Sequence, residues 1–161
     1  MSVGNYQDAH PLVNAFVASR LDRLADLISD QGEEMLADAG IEFPARAVST
    51  IRLIGERGGV STADIAEALG QPHQLVTQRV ELLIDARLLS RLPDPNDGRR
   101  KILRFTDKGS EQYATLVSRL ERVNHALAKL FQENGPDLLQ IATLAIQAVG
   151  RASLLASRTP Q

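Results

Sequence analysis

The chain has 161 residues, of which 43% are hydrophobic and 24% are charged, and its formal net charge is −2 at pH 7. This size and balance exclude a wholly disordered chain and favour one folded domain, residues 1–161. The absence of cysteine excludes disulfides and thiolate metal sites. No apolar run is long enough to cross a membrane and the N-terminus does not resemble a secretory signal, so we expect a cytoplasmic protein with no membrane partner.

The N-terminal part of the sequence predicts two helices. Hydrophobic residues recur at helical spacing over residues 10–30, which is typical of an amphipathic helix. Gly40 and Pro44 interrupt this pattern, and a second helix then ends at Gly58-Gly59. Residues 26–42 carry six acidic residues and no basic one. We interpret this stretch as a solvated helix end, with a metal or protein-docking site as the alternative.

Two short helices follow in quick succession. Residues 61–70 have Ser61 or Thr62 as a candidate N-cap and end at Gly70. Another helix begins only a few residues later, with Pro72 near its start. Two short helices joined by a tight turn that contains glycine predict a helix-turn-helix.

A basic hairpin comes next, in the stretch LPDPNDGRRKILRFT, residues 92–106. Turn-forming residues lead into Arg99, Arg100 and Lys101, and an alternating run follows them. An arginine at such a tip suits the narrow, negative minor groove, because guanidinium is planar, permanently charged and weakly hydrated. A helix-turn-helix followed by a basic hairpin is the layout of a winged helix, which places its second helix in the major groove.

Two more helices are predicted after the hairpin. The first begins at Thr106 or Asp107, is long and amphipathic, and ends before Gly135-Pro136. The last helix, residues 137–156, is hydrophobic around most of its circumference, so it must be buried on more than one side. We therefore expect a second copy of the chain to cover it.

The hairpin stretch LLSRLPDPNDGRRKILRFTDKG resembles the wing of the MarR (multiple-antibiotic-resistance regulator) family. The family pattern is D-x-R followed, some residues later, by L-T-x-x-G; here these are residues 97–99 and 105–109. The stretch VSTADIAEALGQPHQLVTQRVELL is similar to the helix-turn-helix of the same family. The resemblance extends over roughly residues 10–157, although only the middle third carries specific motifs.

The resemblance implies a mainly α fold with a small β-hairpin wing. Its winged helix-turn-helix would span residues 45–105, and the helical dimerisation region would comprise residues 10–40 and 107–157. The family usually has glycine after the recognition helix, whereas this chain has Arg87. A left-handed arginine costs about 1 kcal/mol, so the sequence leaves open whether the same turn forms.

Carried over position by position, the resemblance makes Arg99 the wing arginine. Asp97 is then expected to orient Arg99 or its strand, and Arg100 and Lys101 are further DNA-binding cations of the wing. These four residues form the predicted wing site.

The predicted recognition-helix site contains five residues near the start of the second short helix. Gln74, Thr77 and Gln78 project from one face, where glutamine can pair with adenine and a threonine methyl group can contact a thymine methyl group. His73 and Arg79 are expected to contact phosphates.

We interpret the chain as a sequence-specific double-stranded DNA-binding regulator of transcription. It is expected to be a homodimer that binds a pseudo-palindromic operator as a repressor. A small-molecule effector is a further candidate partner, because many members of the family are released from DNA by such ligands.

Neither a cofactor nor a metal is expected, since His10, His73 and His125 lack ligand spacing. The sequence has no nucleophile elbow, phosphate loop or metal-ligand cluster, so an enzyme is not expected. Two alternatives remain. One is a winged-helix module for protein–protein interaction that docks through its acidic stretch, and the other is a non-specific architectural DNA binder, which the negative net charge disfavours.

Overall fold

The computed structural model describes residues 10–135 and 137–151. The predicted C-terminal part of the last helix, residues 152–156, and the remaining part of the predicted dimerisation region, residue 157, lie outside these described residues. The elements in chain order are a 3-10 turn Val13–Phe16, α1 Val17–Asp38, a 3-10 turn Ala45–Ala47, α2 Val48–Arg57, α3 Thr62–Leu69, α4 His73–Asp85, β1 Leu89–Pro93, β2 Lys101–Phe105, α5 Asp107–Asn134 and α6 Leu138–Arg151. This order confirms the predicted fold class, mainly helical with one β-hairpin.

The chain divides into two compact units, with the boundary between Arg119 and Leu120. Helix α5 supplies its first part to one unit and its remainder to the other. The buried hydrophobic side chains among the described residues all belong to the first unit, from Leu36 to Leu116. In the second unit, the described side chains are exposed or half-buried.

The turn between α1 and α2 is attached to the start of α5. Gly40 adopts a left-handed conformation with φ of 68°, and Ile41 and Phe43 are buried beyond it. The side chain of Gln112 donates to the carbonyl oxygen of Gly40 at 2.9 Å and accepts from the amide of Glu42 at 2.8 Å. These two bonds hold the entry to the winged helix against α5.

Helix α3 begins with a capping box. The Ser61 hydroxyl accepts from the amide of Asp64 at 3.2 Å, and the Asp64 carboxylate accepts from the amide of Ser61 at 2.8 Å. Ser61 rather than Thr62 is therefore the N-cap. Gly70, with φ of 59°, ends the helix in a left-handed conformation, as predicted.

The wing consists of two antiparallel strands with Leu89 opposite Phe105 and Pro93 opposite Lys101. The amide of Leu103 donates to the carbonyl oxygen of Val60 at 2.8 Å, which attaches β2 to the chain before α3. Ile102 and Leu103 are both buried. The hairpin is therefore anchored through both faces of β2, whereas simple alternation predicts one buried face.

Aromatic packing fixes the end of the wing. The ring of Phe105 stacks on that of Tyr113 in α5, with centroids 5.1 Å apart. The Tyr113 ring in turn lies against the backbone of α2 at Gly55, where a Cβ atom would lie 2.2 Å from its Cζ atom. Only glycine at position 55 leaves room for this ring.

None of the helices within residues 10–135 and 137–151 is long and apolar enough to cross a membrane.

Candidate nucleic-acid interface

Helix α4 has one buried face and one exposed face. Val76, Val80 and Leu83 are fully buried, and they share a face at helical spacing. Gln74 and Gln78 are exposed on the opposite face. The structure thus brings the two predicted glutamines together on the solvent side of the predicted recognition helix.

The first turn of α4 holds His73 and Thr77. The Thr77 hydroxyl donates to the carbonyl oxygen of His73 at 2.9 Å and lies 3.3 Å from Nδ1 of the same residue. Because the hydroxyl is bound within the helix, the group that Thr77 has left for an outside contact is its methyl. The N-cap residue Pro72 makes no side-chain cap, but its carbonyl oxygen accepts from the amides of Leu75 and Val76 at 3.0 and 3.2 Å.

Arg79 points back toward the turn before α4. Its guanidinium donates to the side-chain oxygen of Gln71, and its Nε atom is buried without a hydrogen-bond partner among the described residues. Its guanidinium is therefore engaged in the turn between α3 and α4. The sequence analysis predicts a phosphate contact for Arg79. The bond to Gln71 joins residues eight positions apart, and no sequence pattern predicts it.

The tip of the wing is a hydrogen-bonded turn over residues 97–100. The amide of Arg100 donates to the carbonyl oxygen of Asp97 at 2.9 Å, and the Asp97 carboxylate accepts from the amide of Arg99 at 3.0 Å. Asp97 thus orients the backbone of Arg99 directly. The side chains of Arg99 and Lys101 are exposed, and neither makes a hydrogen bond or ion pair with the described part of the chain.

Arg100 differs from its two neighbours because its side chain folds back onto the body. Its Nη2 atom binds the carboxylate of Asp64 and lies 3.4 Å from the Ser61 hydroxyl, and its Nε atom lies 3.8 Å from the Asp94 carboxylate. The predicted run of three wing cations therefore separates into one that is paired and two that have no partner in the described part of the chain.

A second ion pair joins the wing to α4. The guanidinium of Arg91 in β1 binds both carboxylate oxygens of Glu81, at 3.3 Å for the longer bond. Glu81 follows Gln74 and Gln78 on the outward side of the helix. Neither Glu81 nor Arg91 is among the predicted site residues. They lie ten positions apart in different elements, so no periodic pattern in the sequence predicts their contact.

The turn after α4 is the left-handed one that the sequence left open. Arg87 has φ of 59°, its amide donates to Ile84, and the amide of Leu88 donates to Leu83 at 2.9 Å. This is the Schellman pattern, which glycine normally completes. The chain therefore keeps the turn with an arginine at the strained position.

The charge of this surface is consistent with an anionic ligand. Residues 87–104 carry six basic and two acidic residues, although Asp64, Asp94 and Glu81 neutralise two of the arginines. Within the described residues, no group of three histidine, aspartate or glutamate side chains could hold a metal ion. The arrangement suits recognition of a large anion.

Comparison with known proteins identifies the winged helix. Residues 40–100 match the model of the MarR family. A search of the curated proteins finds no match for the sequence.

Solved structures share the fold at low sequence identity. The S. aureus MepR–DNA complex has a TM-score of 0.66 and 20% identity, with 84% of this chain and 97% of that chain covered. The transcriptional repressor CouR, bound to a 23-mer DNA duplex, has a TM-score of 0.65 and 20% identity, with 88% and 96% covered. PcaV from Streptomyces coelicolor, in complex with its natural ligand, has a TM-score of 0.60 and 22% identity, with 84% and 95% covered.

The family match falls on the segment whose wing and helix-turn-helix motifs carried the resemblance, and the solved structures share the fold around it. The winged-helix segment of the chain, residues 40–100, therefore matches the MarR family.

Proposed function

We propose that this chain binds double-stranded DNA sequence-specifically, as a homodimeric repressor acting in the cytoplasm. One observation carries the proposal: the exposed glutamine face of α4 lies in the same compact unit as a wing whose Arg99 has no partner among residues 10–135 and 137–151. A helix of this kind enters the major groove, and a basic wing reaches the neighbouring backbone or minor groove.

Each predicted residue then has a distinct role. Gln74 and Gln78 would read base edges, the Thr77 methyl would contact a thymine methyl, and His73 would contact a phosphate. Arg99 would enter or border the minor groove, with Lys101 beside it on a phosphate. Since Arg79 binds Gln71 through Nη1, a phosphate contact by Arg79 would use its other guanidinium nitrogen.

A homodimer is supported by the hydrophobic residues that a single chain leaves exposed. Helix α6 exposes five large hydrophobic side chains, namely Leu139, Ile141, Leu144, Ile146 and Val149. These side chains are spread around most of the helix, and an isolated soluble chain rarely exposes so much apolar surface on one element. Two copies joined there would present two recognition helices to a pseudo-palindromic operator.

A small-molecule effector is supported by one cavity in the second unit. It has a volume of about 420 Å³, and its lining includes Leu127, Phe131 and Leu139 with the polar side chains of Asn124 and Gln132. A mostly apolar cavity with a few polar groups suits a small amphipathic molecule. Ligand binding there could release DNA by changing the spacing of the two recognition helices.

The test is a fluorescence-anisotropy titration of labelled DNA from the region upstream of the chain's own gene. Wild type, Arg99→Ala and Lys129→Ala would be titrated against this DNA and a scrambled duplex, at about 50 and 200 mM salt. Lys129 is the matched control, because it is a cation of the second unit whose side chain is 78% exposed.

We expect tight binding to the upstream DNA and a steep fall in affinity with salt. Arg99→Ala should weaken binding and lower the salt slope by roughly one, whereas Lys129→Ala should leave both unchanged. Equal affinity for scrambled DNA would favour an architectural binder. A correctly folded protein that binds no duplex at low salt, including genomic fragments, would favour the protein-interaction module instead.

A further inference from the structure

We propose that Arg100 is a positioning residue of the wing, which holds the tip against α3 so that Arg99 faces the DNA. This inference rests on the proposed function and assigns Arg100 a role different from the DNA contact that the sequence predicts.

The side chain of Arg100 connects three parts of the chain. Its guanidinium binds Asp64 and approaches Ser61, both in the capping box of α3, and its Nε atom lies 3.8 Å from Asp94 at the end of β1. The side chains of Arg100 and Asp64 are 43% and 32% exposed, and the guanidinium charge is already paired with carboxylates. A guanidinium so occupied presents little unpaired charge to a phosphate.

The backbone of Arg100 closes the tip as well. Its carbonyl oxygen accepts from the amide of Asp94 at 2.9 Å, and its amide donates to the carbonyl oxygen of Asp97 at 2.9 Å. Movement of Arg100 would therefore open the turn that carries Arg99.

The acceptor for Arg100 is itself held in place. The Asp64 carboxylate is fixed by the amide of Ser61 at 2.8 Å, so binding Arg100 requires little further ordering of that side chain. Hydrogen bonds from Ser61 and then Arg100 lower the pKa of Asp64 below its ordinary value of 3.8, so the carboxylate is charged at neutral pH.

The result is a wing tip ordered before DNA arrives. The residues between the strands, 94–100, would otherwise lose conformational freedom on binding, and this loss lowers affinity. Arg100 removes part of that loss by fixing the tip in the free protein.

The competing role is a direct phosphate contact, in which Asp64 merely competes with DNA for Arg100. The two roles predict opposite signs for one substitution. Asp64→Asn keeps a hydrogen-bond acceptor for Ser61 but removes the charge that holds Arg100. It should weaken DNA binding if Arg100 positions the tip, and should strengthen binding if Arg100 contacts phosphate.

The experiment measures, by fluorescence anisotropy, how tightly Asp64→Asn, Arg100→Lys and Glu67→Gln bind the DNA that wild type binds. Asp64→Asn and Arg100→Lys are each also combined with Arg99→Ala. Glu67 is the matched control, because it is an exposed carboxylate of the same helix. Arg100→Lys keeps the positive charge but loses the planar guanidinium that reaches several acceptors. Thermal unfolding verifies that every variant is folded.

We expect Asp64→Asn and Arg100→Lys each to weaken binding by roughly 3- to 10-fold relative to Glu67→Gln, a part of what a well-placed arginine contributes. Neither should weaken binding further in the Arg99→Ala background. Tighter binding by Asp64→Asn than by Glu67→Gln, wild-type affinity in Arg100→Lys, or additive losses with Arg99→Ala would each overturn the proposal.

Amide hydrogen exchange in the free protein tests the same proposal without DNA. Exchange at the amides of Asp94 and Arg100 should be faster in Asp64→Asn than in Glu67→Gln, because the tip loses its anchor. Unchanged exchange would overturn the positioning role even if Asp64→Asn weakens DNA binding. A wild-type protein that binds no DNA while this exchange difference is present would instead refute the proposed function.

Discussion

The hydroxyl group of Thr106 donates a 2.7 Å hydrogen bond to the carbonyl oxygen of Arg87. The same hydroxyl accepts from the amide of Gly109 at 3.0 Å, which caps the start of α5. One side chain therefore joins the turn after the recognition helix to the first turn of α5. This relationship gives a physical reason for threonine in the family motif that the sequence displays.

The left-handed conformation of Arg87 predicts that glycine at this position would make the protein more stable. Arg87→Gly should raise the free energy of unfolding by about 1 kcal/mol, because glycine adopts positive φ without a Cβ clash. Urea denaturation measures the change. Arg87→Ala is the control, since it removes the same side chain but keeps the strain; an equal gain in Arg87→Ala would show that the backbone is not the cause.

The other end of the motif, Gly109, has no room for a side chain. A Cβ atom there would lie 2.0 Å from the carbonyl oxygen of Leu88 and 3.2 Å from Cδ1 of Phe105. Gly109→Ala should therefore lower the free energy of unfolding by at least about 2 kcal/mol. Gly98→Ala is the control, because nothing lies within 4 Å of its added Cβ atom, and thermal or urea unfolding of that variant should match wild type.

Sequence patterns predicted the regular elements well because those elements depend on local hydrophobic periodicity and on the glycine and proline residues that end them. Gly40, Gly58 and Gly70 adopt left-handed conformations at helix ends, where the sequence predicts the breaks. By contrast, the bond between Arg100 and Asp64 joins residues 36 positions apart. Such a pair depends on how the turn of the wing lies against the start of α3, so no local pattern reveals it.

The same reasoning applies to the candidate site. Exposure of Gln74 and Gln78 follows from the helical period, since they lie opposite the buried valines. The roles of Arg79 and Arg91 depend on which acceptor lies within reach, namely Gln71 and Glu81. Residue type alone cannot distinguish a free arginine from one that is already paired.

The buried hydroxyl group of Thr50 in α2 predicts that valine at this position would stabilise the protein. Its side chain is fully buried, and its hydroxyl has no hydrogen-bond partner among the described residues. Thr50→Val replaces the hydroxyl with a methyl group of similar size and should raise the free energy of unfolding by about 1 kcal/mol. Thr50→Ser, which keeps the hydroxyl and removes the methyl, should instead lower it; urea denaturation of both variants gives the comparison.

The pKa of Asp64 predicts the pH range in which the ion pair between Asp64 and Arg100 stabilises the fold. Hydrogen bonds from Ser61, together with Arg100, hold this pKa below 3.8, so folding favours the ionised form. The resulting stabilisation is present above pH 3.8 and is lost as the pH falls through the folded-state pKa. The difference in unfolding free energy between wild type and Asp64→Asn should be constant from about pH 5 to 8 and shrink only in acid. A difference that changes within the neutral range would contradict this assignment.

The exposed face of α6 predicts that one charge will separate the proposed dimer. Ile146 is 74% exposed in the single chain, and an aspartate there would be an unpaired charge buried between two copies. Light scattering after size exclusion should give a mass near twice 17.5 kDa for wild type and a lower mass for Ile146→Asp. Gln147→Asp adds the same charge at the adjacent polar position of the same helix and should remain dimeric.

Because each recognition helix alone contacts only half an operator, Ile146→Asp should also lose tight DNA binding while its winged helix stays folded. A monomeric wild type that binds its operator tightly would refute both the dimer and its proposed interface.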